Sequence, residues 1–158
     1  MKLKEIRMKC LLFLKNHGAI AGILLFSFLL KLYYLYNIPH PPLIYDAHHY
    51  DVMARQFLDK GILGYASDKP NAYITPGYPL FLAFLYKIFG YKEASPLMQV
   101  RLTQIVLATA TLYFLYLLTK YITTKKAALI AAFFASIYLG TYTDTYRNFL
   151  YTLKFFTT

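Results

Sequence analysis

Three runs of hydrophobic residues alternate with polar stretches along this chain. Residues 18–36 are uncharged apart from Lys31. A helix of nineteen residues rises about 28 Å, enough to cross a hydrocarbon core of roughly 30 Å. Lys31 lies near the outer end of this run, where its long stem can carry the ammonium to the interface. A secretory signal would need small residues at a cleavage site, and Lys31-Leu32-Tyr33-Tyr34-Leu35-Tyr36 offers none, so an uncleaved span is expected. Residues 101–122 form a second span, with Thr103, Gln104, Thr109 and Thr111 as interior polar groups. Residues 127–142 form a third, shorter and rich in alanine, which lets helix backbones approach closely in lipid. The basic turn at 120–126 is short, so spans two and three should make an antiparallel hairpin.

The long segment 37–100 between the first two spans is patterned differently. Residues 37–42 are proline-broken and extended. From 47 to 60, Tyr50, Met53, Ala54, Phe57 and Leu58 recur at helical spacing, predicting an amphipathic helix with Asp46 at its N-cap and Gly61 as its stop. Residues 61–75 read as an irregular loop. The apolar run 79–89 is too short to span a bilayer and reads as a helix lying in the interface, ended by Gly90. Residues 3–14 suit an amphipathic helix on the cytoplasmic surface. The predicted fold is therefore all-α, a polytopic membrane protein of about three transmembrane helices with a large outer loop carrying amphipathic and interfacial helices. In the tail, 143–158, an apolar pattern begins and stops, and the chain is expected to be the N-terminal portion of a larger membrane domain.

Composition agrees: 58% of residues are hydrophobic and the mean hydropathy is +0.40, too apolar for an ordinary soluble domain. Aromatics make up 19%, with no Trp, and tyrosine suits a membrane interface because its ring is apolar while its hydroxyl seeks water. The net charge of +10 raises nucleic acid as a partner, but its distribution argues against it. Basic residues gather in 1–17 and 120–126, while in 37–100 five basic side chains balance five acidic ones. That is the positive-inside pattern. It puts 1–17 and 120–126 in the cytoplasm, 37–100 and 143–158 outside, and makes the bilayer the partner. The one cysteine, Cys10, excludes an intrachain disulfide and a cysteine-based zinc site; it reads as an inert thiol at the membrane edge.

Five of the seven carboxylates, Asp46, Asp51, Asp59, Asp68 and Glu93, lie in that outer segment. Asp46 can serve as an N-cap, as a general base, or as a ligand for a divalent metal that grips a phosphate. Apolar surroundings at the bilayer edge would raise its pKa from the ordinary 3.9 or so and make it a better proton acceptor. Asp51 and Arg55 are spaced as an i,i+4 surface pair, with Asp51 a second catalytic candidate and Arg55 a substrate contact. His48 and His49 point about 100° apart on a helix and are poor joint ligands for one metal, so solvent-facing roles are expected for both. Tyr50 should pack on Met53 and Phe57. Pro76-Gly77-Tyr78-Pro79 reads as a turn that aims the interfacial helix. Arg101, at membrane re-entry, is placed either to hold a lipid phosphate or to anchor the interface.

The series Asp46-x-x-x-Tyr50-Asp51-x-x-Ala54, Gly61, Pro76-Gly77-Tyr78-Pro79-Leu80-Phe81-Leu82-Ala83, Phe89-Gly90 and Arg101-x-x-Gln104 resembles the front of GT-C membrane glycosyltransferases. Within them the likeness is to the protein O-mannosyltransferase and aminoarabinose transferase group, including the RgtA/B/C/D-like domain, over about residues 24–142. The resemblance implies an enzyme that moves a sugar from a polyprenyl-phosphate donor to a hydroxyl on the non-cytosolic side. It makes Asp46 the base or metal contact, Asp51 a second acid, and Tyr50, Arg55, Tyr78 and Arg101 substrate contacts. Many relatives carry Asp-Glu where this chain has Asp46-Ala47. Because the family's later spans are missing, the implied enzyme is expected to be inactive from this portion alone. Two rival readings compete: a small non-catalytic membrane protein assembling with other membrane helices, and a metal or small-ligand module using His48, His49 and Asp51.

Overall fold

A computed structural model describes the backbone of residues 2–37, 43 and 46–137, and the side chains among these from residue 17 onward. It is all-helical: α1 Lys2–Asn37, α2 Asp46–Lys60, α3 Gly77–Phe89, α4 Leu97–Ile122 and α5 Lys125–Ile137. The described residues divide into two units, one holding 2–37 and 105–137, the other 43 and 46–104.

His17–Asn37 of α1, in the first unit, and α4, whose residues from 105 on belong to it, are long and apolar enough to cross a membrane. The core helix of a soluble protein would be mostly buried; here 22% and 17% of the two apolar windows are. Phe26, Phe114 and Leu118 stand exposed instead, as side chains meant for lipid do. This is an all-α membrane protein. Two polar side chains are satisfied within α4 itself: the Thr109 and Thr111 hydroxyls donate to the carbonyls of Ile105 and Leu107, each at 2.9 Å. Thr124 caps α5, accepting from the Ala127 amide at 3.2 Å. Ala128 and Ala132 are fully buried, and with Ile20, Leu112 and Tyr116 they form one core. Their small size lets α5 lie close on α1.

Three expectations for this unit change. Residues 3–14 do not form a separate surface helix; they run into the first span as one helix of 36 residues. Lys31 does not snorkel. It is only 3% exposed, and its ammonium turns back one turn to donate to the Ser27 hydroxyl, the direction in which long helical side chains lean. The helix that carries the expected span 101–122 begins earlier, at Leu97, because the turn after Pro96 already closes with the Val100 amide on the Pro96 carbonyl at 3.0 Å. Of the expected third span, 127–142, residues 127–137 lie in α5, and 138–142 lie outside the described residues.

In the second unit α2 packs on α3. Ala54 of α2 meets Leu82, Ala83, Leu85 and Tyr86 of α3 and Val100 of α4, ringed by Tyr50, Phe57, Leu58, Tyr78, Phe81 and Tyr91. Burying each large apolar side chain here contributes about 1.5–3 kcal/mol. Gly61 stops α2 as expected, its positive φ of 69° letting its amide reach the Phe57 carbonyl at 2.9 Å. α3 begins at Gly77, two residues before the expected start at 79. Pro79 falls in its first turn, where an amide has no helical partner to lose.

Candidate functional site

The two carboxylates of α2 singled out by sequence meet different surroundings. Asp46 is the first residue of the helix and is exposed. Its Oδ1 accepts a hydrogen bond from the Tyr65 hydroxyl. Tyr65 comes from the segment expected to be irregular, which holds no helix or strand but is fastened by side-chain bonds. The Asn71 side chain closes the loop like a clasp: its Oδ1 accepts from the Tyr65 amide at 3.1 Å and its Nδ2 donates to the Tyr65 carbonyl at 3.1 Å. The Asn71 amide donates to the Leu63 carbonyl at 3.1 Å, and Gln56 of α2 donates to the Ser67 carbonyl at 3.1 Å. Gly64 is required here, because a Cβ would lie 2.4 Å from the Lys69 carbonyl oxygen and 2.5 Å from that of Ser67.

The clasp delivers Tyr65 into a group of rings. Tyr73 stacks on it at 5.2 Å between centroids, His49 lies at 4.7 Å, and Tyr50 meets it edge-on at 6.4 Å. Tyr50 in turn meets Tyr78 edge-on at 5.3 Å, and the Tyr78 hydroxyl accepts from Gln104 Nε2 at 3.0 Å. Asp46, His49, Tyr50 and Tyr78 are thus brought together. Arg101 is three residues before Gln104 in α4, on the same helical face. The bond to Asp46 pushes the Tyr65 phenol up to about 12, since ionising it would set two negative charges side by side. Tyr50 is raised mainly by burial, then by Asp46 and Tyr78. Two expectations shift: Tyr50 joins the tyrosine group as well as the core, and His49 is half-buried against Tyr65 while only His48 is exposed.

Asp51, by contrast, is engaged. Its Oδ1 accepts from the hydroxyls of Tyr86 and Ser95, and its Oδ2 lies 3.4 Å from Arg55 Nε. Arg55 also donates from Nε to Ser95 Oγ at 3.0 Å and from Nη1 to the Tyr91 carbonyl at 2.9 Å. An ordinary surface pair was expected; this is a network tying α2 to the end of α3 and the start of α4. Tyr86 is fully buried, and burial first, then the bond to Asp51, raises its pKa. Near the end of α2 an exposed group stands apart: Asp59 accepts from the Tyr91 hydroxyl at 2.8 Å and from Lys92 at 3.3 Å.

Sequence reasoning missed Tyr65, Asn71, Tyr73 and Gly64. The only signal was Asn and Gly in a loop, which marks turn chemistry but not its destination. Among the described residues no three His, Cys, Asp or Glu side chains gather as metal ligands would.

A membrane-embedded all-α protein with an accessible carboxylate beside a tyrosine group fits the class of membrane glycosyltransferases. The sequence profile of the dolichyl-phosphate-mannose-protein mannosyltransferase family matches residues 68–155, more than half of the chain. The chain belongs to this GT-C glycosyltransferase family. The matched region holds Tyr73, Tyr78, Tyr86, Ser95 and Arg101, and begins after Asp46, Tyr50, Asp51, Arg55 and Tyr65. No curated protein and no solved structure matches this chain.

Proposed function

We propose that this protein serves in the transfer of a sugar from a polyprenyl-phosphate donor to a hydroxyl of a protein, lipid or glycan, at the non-cytosolic face of a cell-envelope membrane. The carrying observation is Asp46: an exposed carboxylate on a rigid helix start, held on one oxygen by Tyr65. In the reaction the bond between the anomeric carbon and the donor phosphate oxygen breaks and a bond to the acceptor oxygen forms. The acceptor's proton passes to Asp46, and the lipid phosphate departs with the electron pair. The leaving group is already a phosphate, so it needs charge neutralisation more than protonation; the transition state is oxocarbenium-like. A base aligned on the acceptor and a cation on the phosphate supply the help.

On this reading Arg101 is the cation, and Tyr50 and Tyr78 line the sugar's position. Asp51 and Arg55, drawn in the sequence as a catalytic acid and a substrate contact, hold the α2 framework under Asp46. Any metal would be gripped by Asp46 together with donor phosphate oxygens. The topology proposed is a multi-pass protein with 1–17 and 120–126 cytoplasmic, spans at 18–36, 101–122 and 127–142, and 37–100 and 143–158 outside. That arrangement lets the lipid stay in the bilayer while the sugar reaches water. Activity on this reading needs membrane helices beyond these spans. The test is Asp46→Asn in the complete protein, reconstituted with dolichyl-phosphate-mannose as donor. The rate should fall by about 10²–10⁴, the contribution of a positioned base; an unchanged rate would remove Asp46 from that role.

A further inference from the structure

We infer that Tyr65 is the positioning residue of the Asp46 base: its hydroxyl holds Oδ1 and leaves Oδ2 to receive the acceptor's proton. The inference rests on the proposed role of Asp46 and adds to it a residue and a mechanism that the sequence did not suggest.

An exposed aspartate in the first turn of a helix is free to sample several rotamers, and a base that wanders loses the alignment on which its contribution depends. A single fixed donor on one oxygen removes that freedom while leaving the other oxygen's lone pairs available. The donor must itself be fixed, and Tyr65 is. Asn71 grips its backbone at both the amide and the carbonyl, each at 3.1 Å. Its ring is flanked by Tyr73 at 5.2 Å, His49 at 4.7 Å and Tyr50 at 6.4 Å. Gly64, immediately before it, lets the loop close so tightly that any side chain there would strike backbone oxygens. A loop this tightly closed around one residue, whose hydroxyl ends on the candidate base, is built to deliver that hydroxyl.

The bond also acts on its donor. Ionising the Tyr65 phenol would set two negative charges side by side, so its pKa is pushed up to about 12 and it remains a donor throughout the physiological range.

Tyr65→Phe removes the hydroxyl and keeps the ring that packs on Tyr73 and His49. The complete protein is reconstituted in proteoliposomes, and the Asp46 carboxylate stretch is followed as the infrared difference from Asp46→Asn. The band should shift in Tyr65→Phe as the bond to Oδ1 is lost. With dolichyl-phosphate-mannose as donor, kcat should fall roughly tenfold with donor KM unchanged. In an Asp46→Asn background the same change should have no further effect. An unmoved carboxylate band, or an equal loss in both backgrounds, overturns the inference and makes Tyr65 a loop fastener only. An Asp46→Asn rate equal to the wild type's would instead sink the base assignment, and that result is read before Tyr65 is touched.

Discussion

Asp46 and Asp51 share one helix, five positions apart, yet the structure uses them oppositely. Asp46 is exposed and, among the described residues, takes its hydrogen bond from a tyrosine. Asp51 takes hydroxyls from Tyr86 and Ser95 on one oxygen and Arg55 on the other. A carboxylate with its lone pairs occupied is a poor proton acceptor and a good fastener; one held at a single oxygen retains the capacity to act. In an isolated sequence both are aspartates near a membrane edge. What separates them is how many partners the fold delivers to each.

That contrast can be attacked from its structural end first. Asp51→Ala strips the acceptor from Tyr86, Ser95 and Arg55 at once and should cost about 1.5–3 kcal/mol, the scale of hydrogen bonds to a charged group. Thermal unfolding in lipid should register it as a lowered midpoint. A stability equal to wild type would show that the network is idle and blur the distinction from Asp46. Gly64→Ala attacks the other end: its Cβ meets two carbonyl oxygens, so the clasp must open at a cost of roughly 1–3 kcal/mol. Faster proteolysis within 61–75 and a reduced transfer rate should appear together; unchanged proteolysis would mean that the loop has room to give.

Ser95→Ala removes one link between Arg55 and Asp51 and should cost about 1 kcal/mol, with the transfer rate per folded molecule preserved. The smallest effect is one of pH. Tyr86 has its pKa raised by burial and by Asp51, so its stabilisation is complete below the ordinary tyrosine value of about 10 and is lost as pH rises through the folded value. Wild type should therefore lose stability above pH ~10 more steeply than Tyr86→Phe. Parallel alkaline curves for the two would contradict the burial argument.

Most of the fold was legible because it obeys local rules. The run 18–36 and the periodic set Tyr50, Met53, Ala54, Phe57 and Leu58 lie in helices α1 and α2, and Gly61 and Gly90 are the helix ends observed. These depend on side chains three or four residues apart. The site was only half legible. Asp46 stood out by charge and position, but Tyr65, 19 residues away, reaches it only because Asn71 closes a loop whose contacts cross between segments. The same limit explains Asp51 and Arg55: their spacing announces a pair, while Tyr86 and Ser95, more than thirty residues further on, turn the pair into a network. Lys31 misled for a related reason. Its place near a helix end predicts an interfacial ammonium, and only tertiary packing buries it beside Ser27.

The most direct test sets Asp46→Asn beside Asp51→Asn in one reconstituted preparation of the complete protein and measures mannose transfer from dolichyl-phosphate-mannose per folded molecule. The account expects Asp46→Asn to lose at least about a hundredfold with its unfolding midpoint intact, and Asp51→Asn to lose stability while each folded molecule turns over within roughly threefold of wild type. The reverse pattern, with turnover lost at Asp51 and retained at Asp46, would contradict it.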